Sequence, residues 1–212
     1  MSFAEGFDLF KIVAMIVALL VAIIGHEIMH GRVALFFGDT TAKDAGRLSI
    51  NPISHIDPIG TIVVPLMLVA SGSGILFGWA KPVPVNGRKV LEKGQMAMVA
   101  VSLAGIIYNL TVAFLAAQFL QISEPNSFVQ MLLLYLVLWN VVLAVFNLLP
   151  IPPLDGSNAM SHLFAHFGNY KVGLFFEKIG NMGMVILLVI LLTDLKYVLF
   201  SVMDFVIKLM LP

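Results

Sequence analysis

The chain has 212 residues, of which 60 % are hydrophobic and 11 % charged, with a mean hydropathy of +1.01. Soluble domains run at about 45–50 % apolar and 25 % charged. A fold of this size cannot hide the excess inside itself, so part of its solvent is lipid. That composition excludes a secreted enzyme, a cytosolic α/β enzyme and a disordered adaptor. Twelve Lys plus Arg balance twelve Asp plus Glu, which gives no sign of a nucleic-acid partner, and the absence of Cys excludes disulfides and thiolate-ligated metals. The length suits a single domain, 1–212.

In chain order, the first apolar run is Ile12–Ile24, with a helical continuation to Phe37 that makes it long enough to cross a bilayer. Its leader carries Glu5 and Asp8 against Lys11, the wrong charge for a cleaved signal, so it reads as a retained span. Further apolar stretches cover Gly60–Phe77, Met96–Leu120, Phe128–Leu149 and Val172–Leu192. Polar or Gly/Pro-rich segments separate them at Gly38–Pro58, Gly78–Gly94, Gln121–Asn126 and Pro150–Lys171. In Leu195–Leu211, Lys196, Tyr197, Ser201, Asp204 and Lys208 share one half of a helical wheel. Val198, Leu199, Val202, Phe205, Val206 and Leu209 share the other, which predicts an amphipathic helix in the membrane interface. The expected fold is an all-α polytopic membrane protein of four to five transmembrane helices. A re-entrant segment, a short β-hairpin-like loop and the C-terminal amphipathic helix complete it.

His26-Glu27-Ile28-Met29-His30 is an H-E-x-x-H sequence inside the first span. On a helix, residues i and i+4 share a face, so both imidazoles can reach one metal ion, while Glu27 stands close enough to touch a metal-bound water. Three ionisable residues in a lipid-embedded helix cost at least a few kcal/mol, and such groups mark function. The alternative is a pair of histidines hydrogen-bonded between helices.

A catalytic zinc needs three protein ligands and one open position. Asp155 stands out, in Asn147-Leu-Leu-Pro-Ile-Pro-Pro-Leu-Asp-Gly156. Its three prolines preclude a continuous helix, and broken backbone at membrane depth is tolerated only where protein or water covers it. Gly156 is read as permitting a sharp turn beside the acid. The alternative is an Asp that caps the helix starting at Ser157.

H-E-x-x-H in one span with N-x-x-P…L-D-G at the end of a later one resembles the site-2 protease family of intramembrane zinc metalloproteases. The resemblance runs from His26 to about Ser157 and takes in Gly78-Trp-Ala-Lys-Pro-Val-Pro-Val-Asn86 and Leu103-Ala-Gly-Ile-Ile-Tyr-Asn109. It is nearest the short bacterial and archaeal members without PDZ or CBS domains. The resemblance implies one Zn2+ held by His26, His30 and Asp155, with Glu27 as base and Asn147 at the substrate or the developing oxyanion. Asn109 is a further substrate-binding candidate, although Ile106 stands where the family often has proline. The expected reaction is endoproteolysis of transmembrane segments in other membrane proteins, as in regulated intramembrane proteolysis, with no nucleic acid involved. A metal-ion transporter and an inactive membrane scaffold are the rivals. The first has no need of Glu27 and usually shows inverted repeats, which are absent; the intact site speaks against the second.

Other titratable residues read as structural. His55 and Asp57 lie in a turn, His162 and His166 on an interfacial helix, and Glu177 and Lys178 at the end of an apolar stretch. A single metal site places His30 and Asp155 at one depth, so the first span and Phe128–Leu149 run toward the same face. Met96–Leu120 then runs away from it, and Gly60–Phe77 must enter and leave by the site's face. Lys43, Arg47, Lys81, Arg88, Lys89 and Lys93 on that face predict that it is cytoplasmic. Within Trp79–Asn86, Pro82 and Pro84 blunt one edge of an extended segment. Lys81, Val83 and Val85 keep donors and acceptors on the other, where an unwound substrate could add as a strand.

Overall fold

The computed structural model describes residues 9–71, 78–125, 127–180 and 182–211, with no side-chain description at 65, 68 and 69. Ten α-helices are numbered in chain order: α1 Leu9–Phe36, α2 Thr41–Asp44, α3 Val64–Ala70, α4 Gly87–Leu91, α5 Gln95–Leu120, α6 Phe128–Asn147, α7 Asp155–His166, α8 Lys171–Ile179, α9 Met182–Leu192 and α10 Leu195–Met210. Among the described residues there is no strand. The expected hairpin-like loop is instead irregular backbone over 78–86.

Among the described residues three helices are long and apolar enough to cross a membrane, namely α1, α5 and α6, which makes this a multi-pass membrane protein. They pack into the core that carries the site. The inward stripe of α1 is Ala14, Ala18 and Ala22, one small residue per turn leading to His26. Small residues let helix backbones approach closely where lipid supplies no hydrophobic drive. On α5 the matching positions include Ala104, Gly105, Ala113, Ala116 and Ala117. α1 ends in a Schellman turn: Gly38 takes φ 96°, its N–H reaches the Leu35 carbonyl, and the Asp39 N–H reaches that of Ala34. Ser127 caps α6 by accepting the Gln130 N–H, and α6 stops short of Pro150.

The directions follow from contacts along the helices. His30 meets Val101, whereas His26 and Ala22 meet Asn109, so α5 runs antiparallel to α1. The rings of Phe10 and Phe128 pack edge to face at 6.3 Å, which places the starts of α1 and α6 together. α1 and α6 are therefore parallel, as a shared metal site requires.

Gly60 and Thr61 are tied to Trp79, which follows the segment Gly60–Phe77. The Trp79 N–H donates to the Gly60 carbonyl at 3.1 Å, and the Thr61 hydroxyl donates to the Trp79 carbonyl at 2.9 Å. The chain leaves this point as a π-helical turn, Pro58–Val63, and continues into α3. Ile59, Ile62, Leu66 and Met67 are exposed along it. Its Gly72–Phe77 part lies outside the described residues.

Two features toward the C-terminus were not visible in the sequence pattern. Val172–Leu192 is not one helix. Gly180 takes φ 44° between α8 and α9, which meet at 72°, and eleven residues of α9 span only about 16 Å. Close packing of Gly183 on the Pro152 carbonyl fixes the start of α9. α10 packs with Leu199 and Met203 buried against α5 and α6, with Val206, Ile207 and Met210 beside them. Val198, Val202, Phe205 and Leu209 of the expected apolar face point outward. In lipid both faces of a helix can be apolar, so the wheel alone does not say which one packs.

Candidate active site

The helical spacing places His26 and His30 on one face of α1, and the turn after Pro150 brings Asp155 up to them. His26 Nε2 lies 3.0 Å from His30 Nε2 and 3.0 Å from Asp155 Oδ2, which is 3.3 Å from His30 Nε2. Asp155 is the first residue of α7, whose cap position is Leu154, so the carboxylate does not cap that helix. Gly156 serves close approach rather than a sharp turn. A Cβ there would lie 2.2 Å from the Leu148 carbonyl oxygen, so glycine lets the start of α7 tuck beneath the end of α6.

The far sides of both imidazoles are fixed. His26 Nδ1 lies 2.6 Å from Asn109 Oδ1, and His30 Nδ1 lies 2.7 Å from the Val101 carbonyl. Both partners are acceptors, so each ring carries its proton on Nδ1 and presents an Nε2 lone pair toward Asp155. Asp155 Oδ2 is buried and receives no hydrogen bond. Three lone-pair atoms thus crowd together with no proton between them, an arrangement that needs a cation. Tetrahedral bonds of about 2.0 Å put ligand atoms about 3.3 Å apart, so the residues fit a zinc ion. His26, His30 and Asp155 form the one such group among the described residues.

Glu27 projects to the side of this cluster. Its Oε2 accepts the Val83 N–H at 2.8 Å, and Val83 is itself buried against Gly31, one turn further along α1. The rest of the 78–86 backbone is held in the same way. Lys81 donates its N–H to the His55 carbonyl and accepts from the Arg47 guanidinium at 2.8 Å. The Asn86 N–H reaches Asp39 at 2.6 Å. The edge expected to stand open at Lys81 and Val83 is therefore engaged within the chain, while Val85 is half-buried. Burial would raise the Asp39 pKa, but the Thr41 hydroxyl, the Asn86 and Thr41 amides and the Lys89 charge together hold it below the usual carboxylate value.

Asn109 is not placed for substrate. It is fully buried, and its Nδ2 donates to the Ala22 carbonyl at 3.0 Å and to Asn140 Oδ1 at 2.8 Å. Asn140, also fully buried, donates on to the Leu136 carbonyl at 2.8 Å. Sequence reasoning missed Asn140; the available signal was an amide inside an apolar span, where an unpaired buried polar group costs about 1–3 kcal/mol. Asn147 is half-buried and donates to the Leu143 carbonyl at 3.0 Å, outside the cluster. His55 closes a turn on the Ser49 carbonyl, and Asp57 accepts from the Ile59 and Gly60 amides, as turn residues do. His162 pairs with Gln95 at 2.7 Å, away from the cluster.

The chain also has known relatives. Over 200 residues the chain is 38 % identical to a Bacillus subtilis strain 168 protein named "Putative zinc metalloprotease YwhC", covering 90 % of this chain and 85 % of that one. Residues 118–191 match the family model described as Peptidase family M50. The chain belongs to peptidase family M50. This is the site-2 protease family that its motifs resemble, and the chain is a metallopeptidase. Two mycobacterial relatives named "Putative zinc metalloprotease Rip2" are 31 % identical to this M50 peptidase. The Mycolicibacterium smegmatis match covers 64 % of this chain, the Mycobacterium tuberculosis H37Rv match 70 %, and the chain spans little more than half of either protein. No solved structure matches the chain.

Proposed function

We propose that this M50 peptidase is a zinc-dependent intramembrane endopeptidase that cuts transmembrane segments of other membrane proteins. The observation that carries the reading is the convergence of His26 Nε2, His30 Nε2 and Asp155 Oδ2, at 3.0–3.3 Å, beside Glu27. His26, His30 and Asp155 would hold the zinc, which when bound supplies a Lewis acid and an acidified water. Glu27 acts as base, taking a proton from water and returning it to the leaving amine. Its bond from Val83 holds one carboxylate oxygen and leaves the other for that proton. The anchored 78–86 segment walls the site on this side. Asn147, at the end of α6, is the candidate for the substrate carbonyl.

A helical substrate hides its carbonyls behind its own hydrogen bonds, so it must unwind before attack. In lipid each freed polar group costs several kcal/mol, and the backbone around Lys81, Val83 and Val85 is the nearest replacement. Pairing there requires the bonds to Glu27, His55 and Arg47 to exchange for bonds to the peptide. Pro or Gly near the scissile bond then favours cleavage, because such helices unwind readily.

Parallel α1 and α6 put Asp155, the 38–58 loop and the 78–94 loop on one face. The ties of Gly60 and Thr61 to Trp79 support a re-entrant path for Gly60–Phe77 on that face. The basic residues there make it the cytoplasmic face. Co-expression with candidate single-span proteins tests the activity: cleavage by the wild type and none by Glu27→Gln is the expected result. Because the chain has no Cys, topology is read from Lys43→Cys, Arg88→Cys and Glu124→Cys. The first two should label from the cytoplasm and the third from the opposite side. Labelling of positions 43 and 88 from opposite sides overturns the re-entrant reading.

A further inference from the structure

Three polar side chains from three different helices form a continuous buried line that ends on the metal cluster. It begins at the Leu136 carbonyl, a backbone acceptor on α6. That carbonyl accepts a hydrogen bond from Asn140 Nδ2, so the Asn140 oxygen must face the other way, toward Asn109. On α5, Asn109 Nδ2 is held twice, by Asn140 Oδ1 and by the Ala22 carbonyl of α1. Its oxygen is left to face His26 Nδ1. The Leu136 carbonyl therefore sets the Asn140 amide, the Asn140 oxygen and the Ala22 carbonyl together set that of Asn109, and nothing in the line can be reversed without leaving a buried group unpaired. Asn109 and Asn140 are both inaccessible to solvent, so no water competes for these bonds.

We infer that Asn140 is a positioning residue for the metal centre: by fixing the amide of Asn109, it dictates that His26 carries its proton on Nδ1 and offers Nε2 to the metal. It touches neither metal nor substrate. The Ala22 carbonyl alone secures one of the two Asn109 protons. Without the Asn140 oxygen the other is orphaned, and the reversed amide, with nitrogen toward His26, becomes competitive. A reversed Asn109 forces the His26 proton onto Nε2, where it blocks ligation. Outer partners of metal-bound histidines typically change metal affinity about 10–100-fold.

The inference rests on His26 being a metal ligand, and the test separates the two claims. Zinc affinity of the full chain in detergent micelles is measured by chelator competition. Nitrogen-15 spectra of histidine-labelled, metal-free protein report the His26 tautomer, assigned by the peaks that vanish in His26→Asn. The wild type should show the Nδ1–H form of His26; an Nε2–H form overturns the inference without any Asn140 variant. Asn140→Leu, close in shape but without the acceptor, should raise the zinc dissociation constant about 10–100-fold and shift His26 toward Nε2–H. Asn140→Asp, neutral in this fully buried position, donates its O–H to the Leu136 carbonyl and keeps an oxygen facing Asn109, and should restore both readouts to near wild type. Unchanged zinc affinity in Asn140→Leu overturns the inference, as does Asn140→Asp proving as damaging as Leu. If His26→Asn itself leaves zinc binding intact, the metal-centre reading fails instead.

Discussion

The two regions that hold the site do so in opposite ways. On the α1–α5–α6 side, side chains are fixed by side chains and carbonyls of rigid helices: His26 by Asn109, Asn109 by Asn140, His30 by Val101. Across the cluster, the 78–86 segment has no regular structure, and its backbone is fixed by side chains reaching from elsewhere: Glu27, Arg47 and Asp39. The helical side has no alternative partners, so it sets geometry. The segment's bonds join backbone groups to side chains, and a peptide offers the same donors and acceptors, so in the proposed reaction this side can exchange. The proposed function divides accordingly, with metal binding assigned to the first region and substrate handling to the second.

The largest effect should come from the helical side. Asp155→Ala removes one of three converging atoms and should abolish both stoichiometric zinc binding and proteolysis, read by metal analysis and by cleavage of a co-expressed substrate. Gly156→Ala should come next. Its Cβ would meet the Leu148 carbonyl oxygen at 2.2 Å, and backbone cannot step aside as a flexible side chain does. Overpacking of this kind costs about 1–3 kcal/mol, and the displaced Asp155 should show as weakened zinc binding in chelator competition.

On the segment side, Val83→Pro deletes the N–H that Glu27 accepts. A hydrogen bond to a charged group contributes about 1.5–3 kcal/mol, so cleavage should fall about 10–100-fold while zinc content stays at the wild-type level. Loss of zinc in this variant would erase the proposed division between the two regions. Asp39 gives the smallest effect. Its lowered pKa means that its contribution is complete above the unfolded carboxylate value, about 3.9, and is lost as pH falls through the still lower folded value. Protection of the Asn86 amide from hydrogen exchange should hold from pH 7 to 5 and weaken on further acidification. Asp39→Asn should flatten that dependence.

What could be read from the sequence divides along physical lines. His26, Glu27, His30 and Asp155 stood out because ionisable groups at membrane depth are costly and few, and helical spacing and proline breaks were enough to bring them together. The spans α1, α5 and α6 were legible within a few residues from apolar length alone. The break at Gly180 was not, because a hydropathy window counts glycine in an apolar run as apolar, and the turn depends on how Gly183 seats against Pro152. Asn109 was recognised, but toward substrate. Which partner Asn109 meets depends on how α5 packs against α1 and α6, and the largely apolar α5 sequence does not say which of its faces meets which helix. Asn140 and the packed face of α10 were hidden for the same reason.

Zinc stoichiometry across the four site variants tests the central claim most directly. Purified wild type and Glu27→Gln should each hold one zinc per chain, and His26→Ala, His30→Ala and Asp155→Ala should hold none under the same conditions. Zinc retained by Asp155→Ala, or lost from Glu27→Gln, would contradict the assignment of three ligands and a separate base.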